Sequence, residues 1–376
     1  MNQDEQRGLH GQVVIYGGGV AGAKLARKLR GKAEVVLVNP LDYFEVPMAA
    51  PRNLVQPDFA ERAILPFAQA LPEVQHVRAK LIELSAEGGW VQTAGGGRLL
   101  ISGDISVLAT GSCFASGLVR GTEGSIGERK TLYARFHERL RASRRVLIAG
   151  GGPIGVEIAG EISETWPDKA ITLIEAGPRL LAGTSEEAAT HAASVLAGRG
   201  VRIITGDRLE GDQHVPEDIF AAGGTAMTSA GRPIPYDLLV WCIGGRPNTD
   251  YMRAHFPRAL NDRSQVCVTP DLRVLGFSHL FAVGDITDLP ENKMAWVVGG
   301  HVNVVATNIG DVLKGGAGTK RYKAKTGNSM MAVTLGRRAG VTQLPKPIGV
   351  VRAAWINRKL KAADMLVSMN RRTFGL

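Results

Sequence analysis

Two stretches of the chain share one pattern of apolar and polar positions. In the first, residues 13–16 are continuously apolar, a glycine-rich turn follows, and Ala21, Leu25 and Leu29 then recur at helical spacing. Such a run before a turn is typical of a buried parallel strand that leads into an amphipathic helix. Residues 146–161 repeat the strand, the glycines and the helix start. The pattern predicts two nucleotide-binding units in one chain.

Each turn has the spacing G-x-G-x-x-G. The first glycine allows the tight turn, the second lets a pyrophosphate approach the backbone, and the third lets the helix pack on the strand. The glycines in these roles are Gly17, Gly19 and Gly22 in the first unit and Gly150, Gly152 and Gly155 in the second. The N–H groups at each helix start favour a phosphate. One such turn is weak evidence, but two copies predict two dinucleotides.

The second strand of each unit is predicted to end in a group that binds ribose hydroxyls. Residues 34–38 end at Asn39, and residues 170–174 end at Glu175. Glu175 would accept hydrogen bonds from both hydroxyls and repel a 2′-phosphate, which favours NADH over NADPH. The use of NADPH stays an alternative, because the nearby Arg179 could turn toward its 2′-phosphate. Asn39 accepts through its carbonyl more weakly, and the alternative is that it only makes a turn.

Other predicted elements surround these units. Antiparallel strands are expected at 74–83 and 89–101, apolar strands at 104–108, 237–248 and 279–285, and helices at 132–144 and 294–309. The three apolar strands close on small residues, where backbone can approach a ligand. The cofactor contacts predicted at these closing turns are Ala109, Thr110, Gly111, Gly244, Gly284 and Asp285.

Residues 40–66 form a loop-rich excursion that carries Arg52. Long loops beside a cofactor are often functional. Arg52 is a candidate to neutralise pyrophosphate, and the alternative is a solvated surface arginine.

Composition indicates a cytoplasmic protein with no signal peptide and no apolar run long enough to cross a bilayer. Asn2 excludes N-myristoylation, which needs glycine there. The cysteines, Cys113, Cys242 and Cys267, form neither a C-x-x-C pair nor a zinc spacing, so no metal site is expected. Cys242 is best explained as a small buried hydrophobe.

The net charge of +10 is concentrated at the C-terminal end. From Gly315 onward, thirteen Lys and Arg oppose one acid, Asp364, so this segment carries +12 and the preceding 314 residues sum to −2. The segment suits an anionic membrane surface or, less well, nucleic acid. Its cations include Arg337, Arg338, Arg352, Arg358, Lys359, Lys361, Arg371 and Arg372, interleaved with Trp355, Leu360, Met365, Leu366, Val367 and Phe374. The alternative is that these cations solvate a small domain or pair with acids.

Taken in order, these pieces resemble the two-dinucleotide flavoprotein superfamily of glutathione reductase, type II NADH dehydrogenases and apoptosis-inducing factor. The resemblance covers about residues 13–310. It implies an α/β, glutathione-reductase-like fold of two Rossmann-type domains, with the NAD domain inserted in the FAD domain, plus a small C-terminal domain. The implied boundaries are 10–115 with 249–314 for FAD, 116–248 for NAD(P)H, and 315–376 for the basic domain.

Shorter motifs resemble the apoptosis-inducing-factor-like quinone reductase branch, which includes the ferroptosis suppressor proteins. These motifs are Tyr-Phe-Glu-Val-Pro at 43–47 with Arg52, Gly-Val-Glu at 155–157, Lys-Met-Ala at 293–295, Gly-His-Val-Asn at 300–303 and Leu-Gly-Arg-Arg-Ala-Gly-Val at 335–341. This likeness implies FAD on the first unit, NAD(P)H on the second, hydride transfer to the flavin, and reduction of a quinone.

The same likeness implies individual roles. Glu157 would lie near the nicotinamide, and Lys293, Met294 and Ala295 would lie by the isoalloxazine. Lys293 is our candidate for the positive charge beside reduced flavin; the alternative is a surface lysine at a helix start. Asn39 departs from the family, because an acidic residue usually binds the ribose there.

Three other functions occur among proteins with similar glycine turns. A disulfide reductase needs a cysteine pair near the flavin, and the first loop has no cysteine. A ferredoxin or rubredoxin reductase shares the glycine turns and remains the enzymatic alternative. A redox-sensing nucleic-acid-binding protein is disfavoured because the tail has Tyr322, Trp355 and Phe374 but no recognition motif. A homodimer is possible.

Overall fold

The structure is a computed structural model that describes residues 11–114, 116–211, 219–326 and 330–376. A five-stranded parallel sheet, the first sheet, has the strand order Leu280–Ala282, Ile105–Leu108, Gln12–Tyr16, Glu34–Val38 and Gln75–Val77. A four-stranded parallel sheet, the second sheet, has the order Arg202–Thr205, Ala170–Glu175, Arg145–Ala149 and Leu238–Trp241.

Every strand of the second sheet lies, in sequence, between Ile105–Leu108 and Leu280–Ala282 of the first sheet. The second unit is therefore inserted in the first, and the α/β prediction with two Rossmann-type units is confirmed. Each central strand is apolar on both faces: Val13, Val14, Ile15 and Tyr16 are all fully buried, as expected for a parallel sheet covered on both sides. The residue boundaries of the domains stay a prediction.

Helices and small sheets cover these two sheets. The α-helices are Val20–Leu29, Ala50–Val55, Ala60–Ala63, Phe67–Ala70, Ile126–Ala142, Pro153–Thr165, Glu186–Gly198, Val298–Val312, Ala354–Asn357 and Val367–Phe374, and Arg358–Ala362 is a π-helical turn. The small antiparallel sheets are Ala79–Ser85 with Gly88–Thr93 and Arg98–Ile101, Tyr43–Glu45 with Ile64–Pro66, Ser112–Cys113 with Arg246–Pro247, and Gly224–Met227 with Pro233–Tyr236. In the described part of the chain, no helix has the length and apolarity that crossing a membrane requires.

Several predicted elements differ in extent from the observed ones. The prediction of one strand at 89–101 was wrong, because Gly96 adopts a φ of +83° and a hairpin divides the stretch. The strand predicted at 74–83 is divided as well, and its first part, Gln75–Val77, joins the first sheet. The helix predicted at 132–144 begins earlier, because Ser125 and Glu128 form a capping box.

The C-terminal segment is held by both units. Its three-stranded sheet, Met331–Thr334 with Gly340–Gln343 and Val350–Val351, contributes Met331 and Val333 to the core of the second unit. Phe374, in its last helix, lies 5.0 Å from the ring of Phe44 in the first unit. The segment therefore closes one side of the space between the two units.

Candidate active site

A single cavity of about 940 Å³ is lined by both glycine turns and by the C-terminal segment. Of the predicted site residues, Gly19, Ala109, Gly111, Gly150, Gly152, Glu157, Glu175, Gly244, Gly284, Asp285, Lys293, Met294 and Ala295 line it. Other predicted residues, all within the described part of the chain, are absent from the lining: Gly17, Gly22, Asn39, Arg52, Thr110 and Gly155. Residues as far apart in sequence as Gly19 and Ala295 thus share one space.

The glycine turns of the two units have nearly the same geometry. Gly17 has a φ of +110° and Gly150 a φ of +108°, a conformation that side chains rarely adopt. A Cβ on Gly22 would lie 1.8 Å from the Gly17 carbonyl oxygen, so this position admits only glycine. A Cβ on Gly155 would likewise lie 1.9 Å from the Gly150 carbonyl oxygen. Gly17, Gly22 and Gly155 shape the turns without lining the cavity, whereas Gly150 also lines it.

The middle glycine of each turn faces open space. No atom lies within 4 Å of a Cβ built on Gly19 or Gly152. Each is the residue just before a helix, Val20–Leu29 and Pro153–Thr165 respectively. Two open backbone cradles at helix N-termini fit the diphosphates of FAD and of a nicotinamide dinucleotide.

Asn39 and Glu175 occupy matching positions in the two units. The Asn39 Oδ1 accepts a hydrogen bond from the Gly18 N–H at 2.9 Å, and the Glu175 Oε2 accepts one from the Gly151 N–H at 2.6 Å. Asn39 is buried behind the turn and also donates to the Leu41 carbonyl at 3.0 Å. Glu175 lines the cavity. Of the two side chains, Glu175 therefore lines the cavity and Asn39 does not, and the Glu175 carboxylate is held by the turn itself.

Arg179 is fixed away from this carboxylate. Its guanidinium donates to three backbone carbonyls, those of Leu181 at 3.3 Å, Ala182 at 3.1 Å and Thr184 at 2.7 Å. An arginine with these bonds would have to break them to reach a phosphate. The geometry therefore weighs against the NADPH alternative.

Asp285 lies at the cavity wall with a partner that the sequence did not reveal. Its Oδ2 accepts hydrogen bonds from Ser112 Oγ at 2.9 Å and from Arg120 at 3.0 Å. The Arg120 guanidinium also stacks over Phe114, 5.2 Å from the ring centroid. Arg120 lines the cavity and places a cation beside Asp285, one of the predicted cofactor contacts. No motif marks it, because 165 residues separate it from Asp285.

Glu157 is paired with a lysine from the C-terminal segment. The Lys361 Nζ lies 2.5 Å from Glu157 Oε1 and 3.0 Å from the Ala332 carbonyl oxygen. Glu157 also accepts the Thr334 N–H at 2.9 Å. Both side chains are buried, and both line the cavity. The prediction that Lys361 belongs to a membrane-facing surface was wrong, because packing places it in the site.

Lys293 lies at the cavity wall among acids. Its Nζ donates to the Leu289 carbonyl at 3.0 Å. Burial lowers the pKa of Lys293, while Glu291, Asp285 and Asp288 oppose that shift. Three acidic neighbours therefore counteract the effect of burial on the charge of this lysine.

Arg52 does not reach the cavity. Its guanidinium forms a bidentate ion pair with Glu161, at 2.6 and 2.8 Å, and also donates to the Ala362 carbonyl. Arg52 is only 2% exposed, so neither the pyrophosphate role nor the surface alternative describes it. Burial raises the pKa of Glu161, and Arg52 opposes that shift. The pair fastens the C-terminal segment to the helix that carries Glu157.

Thr110 closes the turn after its strand. Its hydroxyl donates to the Asn248 carbonyl at 2.7 Å and lies 2.9 Å from the Tyr251 hydroxyl. Thr110 therefore connects the strand end that leaves the first unit with the segment that returns to it, around Asn248 and Tyr251. It lies between the lining residues Ala109 and Gly111.

The C-terminal segment lines the cavity mostly with apolar residues, and we call this part of the wall the apolar end. Its apolar residues are Met330, Met331, Leu344, Leu360, Leu366 and Met369, and Met48 of the first unit also lines the cavity. Methionine is flexible and polarisable, so it adapts to varied apolar ligands. Leu360 and Met369 are about half exposed and lie at the rim. This end therefore suits a lipid-soluble molecule entering from the C-terminal side.

The cysteines exclude dithiol chemistry at this site. All three are free thiols, and Cys242 is the one that appears among the described lining residues. Burial raises the pKa of Cys242 to about 12, which keeps it a neutral thiol. A redox-active disulfide needs two neighbouring sulfurs, so the described cavity does not work by disulfide exchange.

Known proteins resemble this chain over most of its length. Apoptosis-inducing factor homolog B of Dictyostelium discoideum is 27% identical and covers 89% of each chain. Human ferroptosis suppressor protein 1 is 27% identical over 98% of this chain and 96% of its own. The solved sulfide:quinone oxidoreductase of Aquifex aeolicus has a TM-score of 0.72 at 17% identity, covering 96% of this chain and 91% of its own.

The family model for pyridine nucleotide-disulphide oxidoreductases matches residues 11–302. The match includes both glycine turns, the Glu175 position and the Gly284–Asp285 turn. It confirms the predicted superfamily and the oxidoreductase class, and FAD with NAD(H), as predicted, are the cofactors of this family. The chain belongs to the pyridine nucleotide-disulphide oxidoreductase family.

Proposed function

We propose that the protein is an FAD-dependent NADH:quinone oxidoreductase. The observation that carries this proposal is one cavity that is lined by both dinucleotide cradles and by the apolar, methionine-containing end, with Cys242 as the one cysteine among its described lining residues. Bound FAD would accept a hydride from NADH and pass two electrons to the quinone. The residues that would hold it are those around Gly19, Gly111 and Asp285.

Lys361, held by Glu157, would donate the proton that quinone reduction requires. Reducing a quinone by NADH consumes one proton besides the hydride, and that proton must come from the protein or from water. The Lys361 Nζ lines the cavity next to the apolar end and can hand a proton to a reduced acceptor. Glu157 holds this ammonium in place.

NADH would be the preferred reductant. Glu175 lines the cavity and would lie close to a 2′-phosphate, which it would repel. Arg179, the cation that would offset this repulsion, is held by backbone carbonyls. Arg208 lines the cavity as well, and we would attribute a small residual use of NADPH to this arginine.

Turnover with different acceptors tests the proposal. The purified protein, loaded with FAD, is expected to oxidise NADH steadily with a short-chain ubiquinone or menaquinone analogue and only slowly with a ferredoxin or rubredoxin. Faster turnover with the iron–sulfur or rubredoxin acceptor would instead establish the alternative reductase function. Negligible NADH oxidation with every acceptor would leave only a redox-sensing role.

We also propose that the C-terminal segment contacts an anionic membrane. Trp355 is 72% exposed, Leu360 and Met369 lie at the cavity rim, and Arg358 and Lys359 beside them are exposed. Exposed aromatic and apolar side chains flanked by cations suit a lipid headgroup region. Of the other apolar residues predicted for this surface, Met365, Val367 and Phe374 are buried in the core, and Leu366 lines the cavity.

Liposome sedimentation tests the membrane contact. The variant R358Q/K359Q/R372Q removes three exposed cations, each expected to contribute on the order of 1 kcal/mol on an anionic leaflet. It should lose binding to anionic vesicles while keeping turnover of a water-soluble quinone. The matched control, K80Q/R202Q/R258Q, removes the same charge elsewhere on the surface and should still bind. Equal loss of vesicle binding in both variants would show that only the net charge of the protein matters. Equal retention of binding in both variants would refute the membrane contact.

A further inference from the structure

His301 is a fully buried imidazole that the proposed reaction does not use. It lies in the helix Val298–Val312 and is 1% exposed. Its Nδ1 lies 3.1 Å from the Gly284 backbone nitrogen, and its Nε2 lies 2.7 Å from Glu291 Oε1. The ring therefore bridges a backbone group at the cavity wall and a carboxylate behind it.

The contacts fix which nitrogen carries the proton. A backbone N–H can only donate, so the Nδ1 that faces Gly284 must be the acceptor. The Nε2 then carries the hydrogen and donates it to Glu291. In this tautomer the imidazole is neutral. Burial lowers the pKa of His301, which favours the same form.

Glu291 is itself anchored, so the imidazole cannot easily turn. The Glu291 side chain is fully buried, and its Oε2 accepts the Tyr322 hydroxyl at 2.8 Å and the Lys325 N–H at 2.8 Å. The Tyr322 ring packs edge-on against His301, with 4.5 Å between the ring centroids. Both Tyr322 and Lys325 belong to the C-terminal segment.

The group at the other end of this chain of hydrogen bonds belongs to the cofactor site. Gly284 has a φ of +79° and lines the cavity together with Asp285. Its N–H would otherwise be a buried donor without a partner, which costs about 1–3 kcal/mol. The orientation of the Gly284–Asp285 turn thus depends on an acceptor at the Nδ1 position.

We propose that His301 is a positioning residue for the FAD site: as a neutral imidazole anchored on Glu291, it holds the Gly284–Asp285 turn in the conformation that receives the cofactor. The inference rests on the proposed FAD site, but not on the identity of the acceptor. Protonation would put an N–H on Nδ1 against the Gly284 N–H, so two donors would face each other and the turn would be released.

The charged groups around His301 set the direction of its pH dependence. Glu291 and Asp285 favour the protonated imidazole, Lys293 disfavours it, and burial, the largest contribution, also disfavours it. Tyr322 stays neutral, because burial raises its pKa. The lowered pKa of His301 means that the holding contact is complete at neutral pH. It is lost as the pH falls through the acidic side of the usual histidine range.

FAD binding to the apoprotein, followed by quenching of flavin fluorescence, tests the proposal without turnover. His301→Leu should weaken FAD binding about tenfold, because the Gly284 N–H loses its acceptor and is left as a buried donor without a partner. His301→Gln should bind nearly as the parent does, because its amide offers one acceptor and one donor. Asn308→Leu is the matched control: it removes buried side-chain hydrogen bonds to Asp271 and Lys320 from the same helix, and it should lower thermal stability while leaving FAD affinity unchanged.

The pH profile separates positioning from simple support of the fold. The parent's FAD affinity should fall as the pH drops from 7.5 to about 5, while the affinity of His301→Gln stays level over that range. If His301→Leu does not fold, this comparison alone decides. Parental FAD binding by His301→Leu, equal loss in Asn308→Leu, or the same pH profile in the parent and His301→Gln would each overturn the proposal. A parent that binds no FAD would instead refute the FAD site.

Discussion

The exchange of Lys361 for methionine gives the strongest test of the proposed proton transfer. Methionine keeps an unbranched apolar stem but removes the ammonium that lies 2.5 Å from Glu157. The hydride from NADH would still be transferred, since this step does not need a proton donor. Reduction of a quinone would lack its nearest donor, whereas ferricyanide takes up electrons and no proton.

The size of the effect follows from the burial of the lysine. A positioned general acid typically contributes about 10²- to 10⁴-fold in rate. The Lys361 side chain is 10% exposed, so water reaches the site to some extent and replaces part of its function. We therefore expect Lys361→Met to lower kcat with quinone by about 10²-fold, equivalent to about 2.7 kcal/mol in the barrier. The ferricyanide rate should stay near that of the parent.

Steady-state rates with the two acceptors, measured at saturating NADH, provide the assay. Lys359→Met is the matched control, because it makes the same change at an exposed neighbour of the same helical segment. Glu157→Gln combined with Lys361→Met should fall no further than Lys361→Met alone, since residues that act as a unit are not additive. An equal loss with quinone and ferricyanide, or no loss with quinone, would refute the proton assignment.

Three further outcomes are expected. Glu175→Ala should reduce the preference for NADH mainly through KM, because ribose contacts are the same in the ground and transition states; equal use of NADH and NADPH by the parent would contradict this. Asn39→Asp should leave FAD affinity unchanged and lower the melting temperature, because a carboxylate oxygen would face the Leu41 carbonyl; tighter FAD binding would show that Asn39 reaches the ribose. Iodoacetamide at pH 8 should label exposed Cys113 rapidly and buried Cys242 only after unfolding; mass spectrometry of early time points would reveal the opposite order.

The sequence by itself determined the two nucleotide-binding units. Each glycine turn is decided within about ten residues, because a positive φ at Gly17 or Gly150 and a close contact at Gly22 or Gly155 are local requirements. The position of Glu175 follows as well, since it ends the strand that pairs next to the turn. Motifs of this kind were sufficient to predict the superfamily and its fold.

Tertiary structure alone decided the partners of the charged residues. Arg52 and Glu161 are 109 residues apart, and Glu157 and Lys361 are 204 apart, so no local pattern joins them. In the sequence, Lys361 is one of many cations in a basic tail; the packing of that tail on the helix of Glu157 moves it into the cavity. A buried carboxylate is stable only beside a partner, and which cation supplies it depends on how distant segments pack rather than on their composition.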